Sequence, residues 1–119
     1  MQRDDVDRWL ADYVEAWRTY DHEKMGALFS AEAEYRYHPY DEPIRGRDAI
    51  VSAWLDDRDE PGSWEADYRA VAVDGDVAVA TGHTSYKAGH VFHNCFVMRF
   101  DDDARCSSFT EWYVERPRG

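Results

Sequence analysis

Positive charge is the scarcest resource in this sequence: 14 Lys and Arg stand against 25 Asp and Glu, for a formal charge of −11. A surface of that sign repels polyphosphate and anionic headgroups, so neither nucleic acid nor a membrane is an expected partner. There is no long apolar run to span a bilayer. The N-terminus also lacks the basic, apolar and small-residue succession of a secretory signal, which points to a cytoplasmic protein. Cysteine is nearly absent, with Cys95 and Cys106 the only two, which excludes a disulfide-stapled scaffold. Prolines number four and glycines seven, so each one that interrupts an apolar pattern marks a boundary. No repeat or low-complexity segment occurs, and 119 residues suit one domain with one core. What the chain has instead is rings: aromatic residues make up 15% of it. Such content in so acidic a chain argues for a core or cavity lined by aromatics and against disorder.

Read in order, Val6, Trp9, Leu10, Tyr13, Val14 and Trp17 recur at helical spacing, predicting a helix over 4–20 capped by Asp4 or Asp5. Asp21 resets the pattern as an N-cap, and Met25, Leu28 and Phe29 predict a short second helix ending near Ser30. Glu34 to His38 alternates as a first strand halted by Pro39, and PYDEPIRG is loop chemistry. Arg47-Asp48 opens a third helix that turns Ile50, Val51, Trp54 and Leu55 inward, and the charged DDRDEPG stretch, 56–62, then solvates the surface. From Trp64 the pattern is all strand: a run to about Val73, a turn at Asp74-Gly75, a run from Asp76 to Tyr86, and a loop at 87–89. The final hairpin, HVFHNCFVMRFDDDARCSSFTEWYV, precedes a frayed tail at 115–119. Helices first and a meander afterwards predict an α+β domain, its three helices packed on the concave face of a curved antiparallel sheet.

Pairing Phe100 with Arg105 across the acidic turn sets Phe96 opposite Phe109 and Asn94 opposite Glu111. The same register sets Cys95 against Thr110 and Cys106 against Arg99, so no disulfide is expected between them. Pairing Tyr86 with Val91 carries His83 opposite Asn94. His83, Asn94 and Glu111 then form a polar row sharing a face with Thr81, Phe92, Phe96, Phe109 and Tyr113. A carboxyl among rings loses hydration, which raises its pKa and makes it a usable general acid or base. Asn94 would orient it, while Tyr13 and Tyr37 would donate to a ligand oxygen that becomes negative. A satisfied network that only fixes register explains the same three residues. His90, in a turn, and His93, of opposite parity to His83, do not converge with it, so no metal site is expected. The opposite face, with Cys95, Val97, Thr110, Trp112 and the Ala78-Ala80 pair, is apolar and has no helix left to cover it. A second copy of the chain is the expected cover.

The element order, with AEAEYRYHPYDEPIRGRDAI and FVMRFDDDARCSSFTEWYV, resembles the nuclear-transport-factor-2-like superfamily, in its ketosteroid-isomerase-like and SnoaL-like branches. The resemblance runs from Val6 to Val114 and implies a cone-shaped sheet closed by helices around a pocket. Tyr13 falls where the isomerases keep an oxyanion-binding tyrosine. Their catalytic aspartate on the first strand corresponds to Tyr37, with His38 just beyond, and their assisting aspartic acid to Phe96. Glu111 after Phe109 is similar to the last-strand aspartate of limonene-type epoxide hydrolases. The arginine and aspartate that accompany it have no match in VATGHTSY.

The expectation is therefore a pocket protein for a small apolar or aromatic compound, requiring no cofactor. It would be an isomerase or cyclase with Glu111, His83, Tyr13 and Tyr37 as catalytic groups, and with Asn94, Phe96, Phe109, Tyr113, Trp54 and Tyr35 around the ligand. A non-catalytic binder with the same pocket is the alternative, as is an interaction module whose cone is plugged by Trp54, Phe92 and Tyr113.

Overall fold

The apolar stripe from Val6 to Trp17 folds as α1 (Arg3–Thr19), whose inner face is buried. A computed structural model describes residues 1–55 and 62–117; residues 56–61 of the charged stretch and the last two of the tail lie outside the described residues. The cap of α1 differs from expectation. Gln2 is the N-cap, and Asp5 serves from inside the first turn, its carboxylate accepting the Gln2 N–H at 2.8 Å. Tyr20 ends the helix in a left-handed conformation (φ 51°), and Asp21 then caps α2 (His22–Ala27) by accepting the Lys24 N–H at 3.0 Å.

The second helix stops earlier than the sequence pattern indicated. Phe29 belongs to β1 (Phe29–Arg36), where pairing with Cys106 overrides the helical spacing of Leu28 and Phe29. A two-residue β2 (Ile44–Arg45) inside the loop segment returns against β1, and α3 (Arg47–Leu55) follows. The remaining strands are β3 (Trp64–Asp74), β4 (Val77–Tyr86), β5 (Val91–Phe100) and β6 (Cys106–Glu115). The two-residue turn between β3 and β4 is Gly75-Asp76, one residue later than expected, with Gly75 at φ +60°. Sheet order is β2-β1-β6-β5-β4-β3, antiparallel except where β1 runs parallel to β6. No helix among the described residues is long and apolar enough to cross a membrane.

Two registers differ from the sequence reading. Between β5 and β6, Asp101 accepts from the Asp103 and Arg105 N–H groups at 2.9 and 3.0 Å, so the turn takes in Arg105 and Phe100 pairs with Cys106. A bulge at Arg99/Phe100 adds the second displaced residue, so Phe96 faces Glu111, Asn94 faces Tyr113 and Cys95 faces Trp112. A shift of two preserves parity, and Asn94 and Glu111 still point to one side. Between β4 and β5 the shift is one: Tyr86 N–H bonds the His90 carbonyl at 2.8 Å around a three-residue connection closed by Gly89 at φ +106°. A shift of one reverses every side chain. His83 and Thr81 therefore face outward, whereas Ala78 and Ala80, expected outside, are buried within. His83 sits directly opposite His93, so those two share a face after all.

Aromatic residues dominate the space between α1, α3 and the sheet. Tyr35 stacks on Phe109 at 4.6 Å, Tyr13 on Phe109 at 5.9 Å and Trp17 on Trp64 at 3.5 Å between ring centroids. Backbone packing is tight at Gly82 on β4, directly opposite Tyr68 on β3. A Cβ at Gly82 would collide with the Asp67 carbonyl and lie 2.7 Å from Tyr68 Cα. Gly82→Ala is accordingly expected to destabilise the fold by about 3 kcal/mol or more. A urea midpoint equal to that of the wild type would show that this close approach has room for a methyl group.

Candidate active site

One polar line crosses the concave face, with one residue from each of four adjacent strands. Tyr68 on β3 and Thr84 on β4 share a hydrogen bond of 2.6 Å; Thr84 Oγ1 donates to Asn94 Oδ1 on β5 at 3.1 Å; and Asn94 Nδ2 donates to Glu111 Oε2 on β6 at 2.7 Å. The single Thr84 proton is committed to Asn94, so the Tyr68 hydroxyl must be the donor to Thr84. This chain fixes the amide of Asn94 with its nitrogen toward the acid. Thr84 thus holds the place that the sequence reading gave to His83. The signal for it was present in β3, where Glu65, Asp67 and Arg69 alternate as an outer face opposite Ser85, His83 and Thr81.

Glu111 is 7% exposed. Burial raises its pKa from 4.5 to about 7, against the opposing pull of the Asn94 hydrogen bond, of His38 and of Tyr35. Asn94 engages one carboxyl oxygen and leaves the other to carry or accept a proton. The neighbouring phenols move the opposite way in usefulness as bases. Burial pushes Tyr37 up to about 12 and holds Tyr13, Tyr35 and Tyr68 well above the ordinary phenol range, so all four remain proton donors.

Beside this line lies a cavity of about 280 Å³ walled by Trp17, Tyr37, Trp54, Tyr68, Thr84, Tyr86, Phe92, Asn94, Phe96, Glu111 and Tyr113. Trp54, Phe92 and Tyr113 line this space and do not plug it. Tyr13, Tyr35 and Phe109 are not in the wall; they are fully buried in the ring stack behind it. The indole Nε1 of Trp54 is buried without a hydrogen-bond partner, while the hydroxyls of Tyr13 and Tyr35 are buried beside each other and near Glu111. An orphan of this kind costs about 1–3 kcal/mol. Trp54 belongs to the cavity wall, whereas Tyr13 and Tyr35 do not.

A larger groove of about 660 Å³ lies elsewhere, between α1 and the turn at 101–105. Its walls include Asp5, Asp12, Asp76, Asp101, Asp102 and Asp103, a solvated acidic surface with no buried reactive group. The smaller cavity is the candidate site because the chemistry is there. Among the described residues no three His, Cys, Asp or Glu side chains converge as metal ligands. His93 Nε2 instead accepts from Arg116 on the outer face, and Cys106, buried, lies on the core side while Cys95 lies on the other.

With this geometry in view, the sequence profile of the SnoaL-like domain matches residues 10–108. The chain belongs to the SnoaL-like domain family. Comparison with the curated proteins finds none that matches. Solved structures share the fold of this SnoaL-like protein at low identity. An NTF-2 like protein of unknown function from Burkholderia xenovorans LB400 superposes with a TM-score of 0.77 at 17% identity, covering 100% of this chain and 90% of its own. A candidate ketosteroid isomerase from Kribbella flavida DSM 17836 gives 0.74 at 18% identity, covering 98% and 83%. An LEH-like epoxide hydrolase from M. tuberculosis gives 0.70 at 14%, covering 94% and 84%. At these identities the likeness is one of fold.

Sequence reasoning missed Thr84, Tyr68 and Tyr86 in the cavity wall of this SnoaL-like protein, and it assigned His38 no role. His38 bonds both Asp41 and the Tyr113 hydroxyl at 2.9 Å. The loop between β1 and β2 brings it there, and no periodicity in the sequence reports where a loop returns.

The raised Glu111 pKa has a thermodynamic signature. Between pH 4.5 and about 7 the folded carboxyl keeps a proton that the unfolded one has released. The folded state then binds more protons, so this group's contribution is complete below pH 4.5 and is lost as pH rises through 7, by roughly 3 kcal/mol in total. In Glu111→Gln that loss should vanish. Urea denaturation of both proteins across this range is the check, and stability curves that stay parallel would place Glu111 in contact with water.

Proposed function

We propose that this protein is a cofactor-free enzyme that moves a proton on a small apolar carbonyl compound, in the manner of an isomerase or cyclase. Glu111, buried beside an aromatic cavity with one oxygen held by Asn94, is the observation that supports this reading most directly. A carboxyl poised near neutrality removes a proton from the carbon next to the carbonyl and returns it at a second position. Tyr37 faces the same cavity as a donor to the oxygen that gains charge, and Tyr13 and Tyr35 stand behind the wall. The ring walls favour a flat apolar ligand. Glu111→Gln is expected to slow α-hydrogen exchange of a bicyclic ketone such as 1-indanone in D2O by on the order of 10²-fold or more. Exchange at the wild-type rate in that variant would remove Glu111 from the role.

A second reading is supported by Tyr37 and Phe96 standing where the isomerase aspartates would be: a binder that holds an apolar ring compound without changing it. Recovery of one chemically unaltered ligand from the purified protein, together with no exchange on ring ketones, favours that alternative.

The outer face supports a proposal of its own, that two copies associate through it. Val79, Val97, Cys95, Thr110 and Trp112 form its centre, no described helix crosses it, and Trp112 is 43% exposed. Burying such a strip is the ordinary reason for a twofold pair. Light scattering at micromolar concentration should give twice the chain mass, and Trp112→Glu should halve it. A wild-type monomer would dismiss the pairing.

A further inference from the structure

At the cavity mouth a second line of hydrogen bonds stands apart from the first. His38 Nδ1 lies 2.9 Å from Asp41 Oδ2, and His38 Nε2 lies 2.9 Å from the Tyr113 hydroxyl, so an imidazole joins a carboxylate to a phenol that lines the cavity. These residues come from the β1–β2 loop and from β6, far apart in sequence. The loop is braced. Arg36 Nε donates to the Asp41 carbonyl at 3.2 Å, and Tyr40 stacks on the His38 ring at 5.1 Å. Tyr113, 42% exposed, meets Phe92 edge-on at 5.6 Å.

We propose that His38, anchored by Asp41, sets the direction of the Tyr113 hydroxyl proton and so makes Tyr113 a second proton-handling group of the cavity. A carboxylate only accepts, so His38 Nδ1 carries a hydrogen toward Asp41 in every state. With His38 neutral, Nε2 is an acceptor, and the Tyr113 hydrogen turns toward it; the phenol then offers the cavity only lone pairs. With His38 protonated, Nε2–H donates to the phenol oxygen, and the Tyr113 hydrogen is released toward the cavity. The charged and titratable groups around His38 are Asp41 and Arg36 on its own loop and strand, Tyr40 stacked on it, and Tyr113 and Glu111 from β6.

The inference rests on the reading of the cavity as a proton-transfer site and extends it to a ligand whose acceptor oxygen lies at the mouth while its acidic C–H faces Glu111. A proton passes from that carbon to Glu111. The C–H electron pair becomes the new carbon–carbon double bond, and the carbonyl π pair moves to oxygen, which takes the Tyr113 proton. Collapse of the enol returns the oxygen's proton to Tyr113 and delivers the Glu111 proton to carbon, with no net oxidation or reduction. Tyr113 is the catalytic group here, and His38 and Asp41 are positioning residues.

Two measurements on the full chain test this. Long-range ¹H–¹⁵N correlation should find neutral His38 protonated at Nδ1, with the Tyr113 ring carbon bearing the hydroxyl titrating in step with His38 and losing that step in Asp41→Asn. A neutral His38 protonated at Nε2 would overturn the switch. In 1-indanone exchange, Tyr113→Phe should lower kcat on the order of 10²-fold with KM changed by less than about twofold, and His38→Gln should erase one limb of the pH–rate profile. Loss of exchange in Glu111→Gln, with kcat and pH profile untouched in the Tyr113 and His38 variants, would overturn this inference and leave the proposed function standing. The reverse pattern, with Glu111→Gln fully active and Tyr113→Phe slow, would retain the switch and remove the role given to Glu111.

Discussion

The contact on which the rest depends is the hydrogen bond from Asn94 to Glu111. A carboxyl enclosed by Phe96, Phe109 and Tyr35 would cost several kcal/mol to ionise if it had no partner, and folding alone would keep it protonated and inert. One charge-assisted bond of 2.7 Å returns about 1.5–3 kcal/mol of that cost to the charged form. The carboxyl is left balanced near neutrality instead of locked in either state. Asn94 achieves this only because its own oxygen is occupied by Thr84, which is occupied in turn by Tyr68. Without that chain the amide would be free to turn its oxygen toward the acid, and repulsion would replace attraction.

The ring stack behind the cavity has a different task. Tyr13, Phe109 and Tyr35 lie nearly parallel, with interplanar angles of 19° and 9°, and they give the pocket floor a stiff apolar backing. Two of these three rings nevertheless carry hydroxyls, both of them buried. Phenylalanine at either place would bury the same ring without dehydrating a hydroxyl. Their proximity to Glu111 gives them a reason to persist: they stay protonated, and they bias the field at the carboxyl.

The fold was legible in the sequence because its strongest signals are local. The α1 stripe, the Asp21 cap and the alternation in β5 and β6 each report on a few neighbouring residues. The site was legible only in part because it depends on how strands meet. The error at β5–β6 came from counting a four-residue acidic turn where the Asp101 side chain organises five residues, and a bulge then made the total displacement even. Asn94 and Glu111 survived by that accident of parity. The error at β4–β5 was odd, since Gly89 allows a connection one residue shorter than assumed, and His83 left the pocket. His38 lay beyond reach for another reason: its partner, Tyr113, is 75 positions away and met through a loop.

The geometry of the acid also explains its length. Glu111 lies directly opposite Phe96, and Asn94 directly opposite Tyr113, so their bond runs along the diagonal of the ladder. Diagonal neighbours are about 7–8 Å apart at the backbone, against about 5 Å for direct pairs. A glutamate spans that gap with its extra methylene; an aspartate at this position would fall short, and its carboxyl would lose the amide. The same diagonal couples site to register. Each link of the chain from Tyr68 to Glu111 crosses one strand boundary, so a slip at any of three boundaries breaks the line and strands a buried polar group. The network that tunes the carboxyl therefore also selects the pairing that builds the cavity, and the pKa of the acid and the uniqueness of the sheet rest on the same three hydrogen bonds.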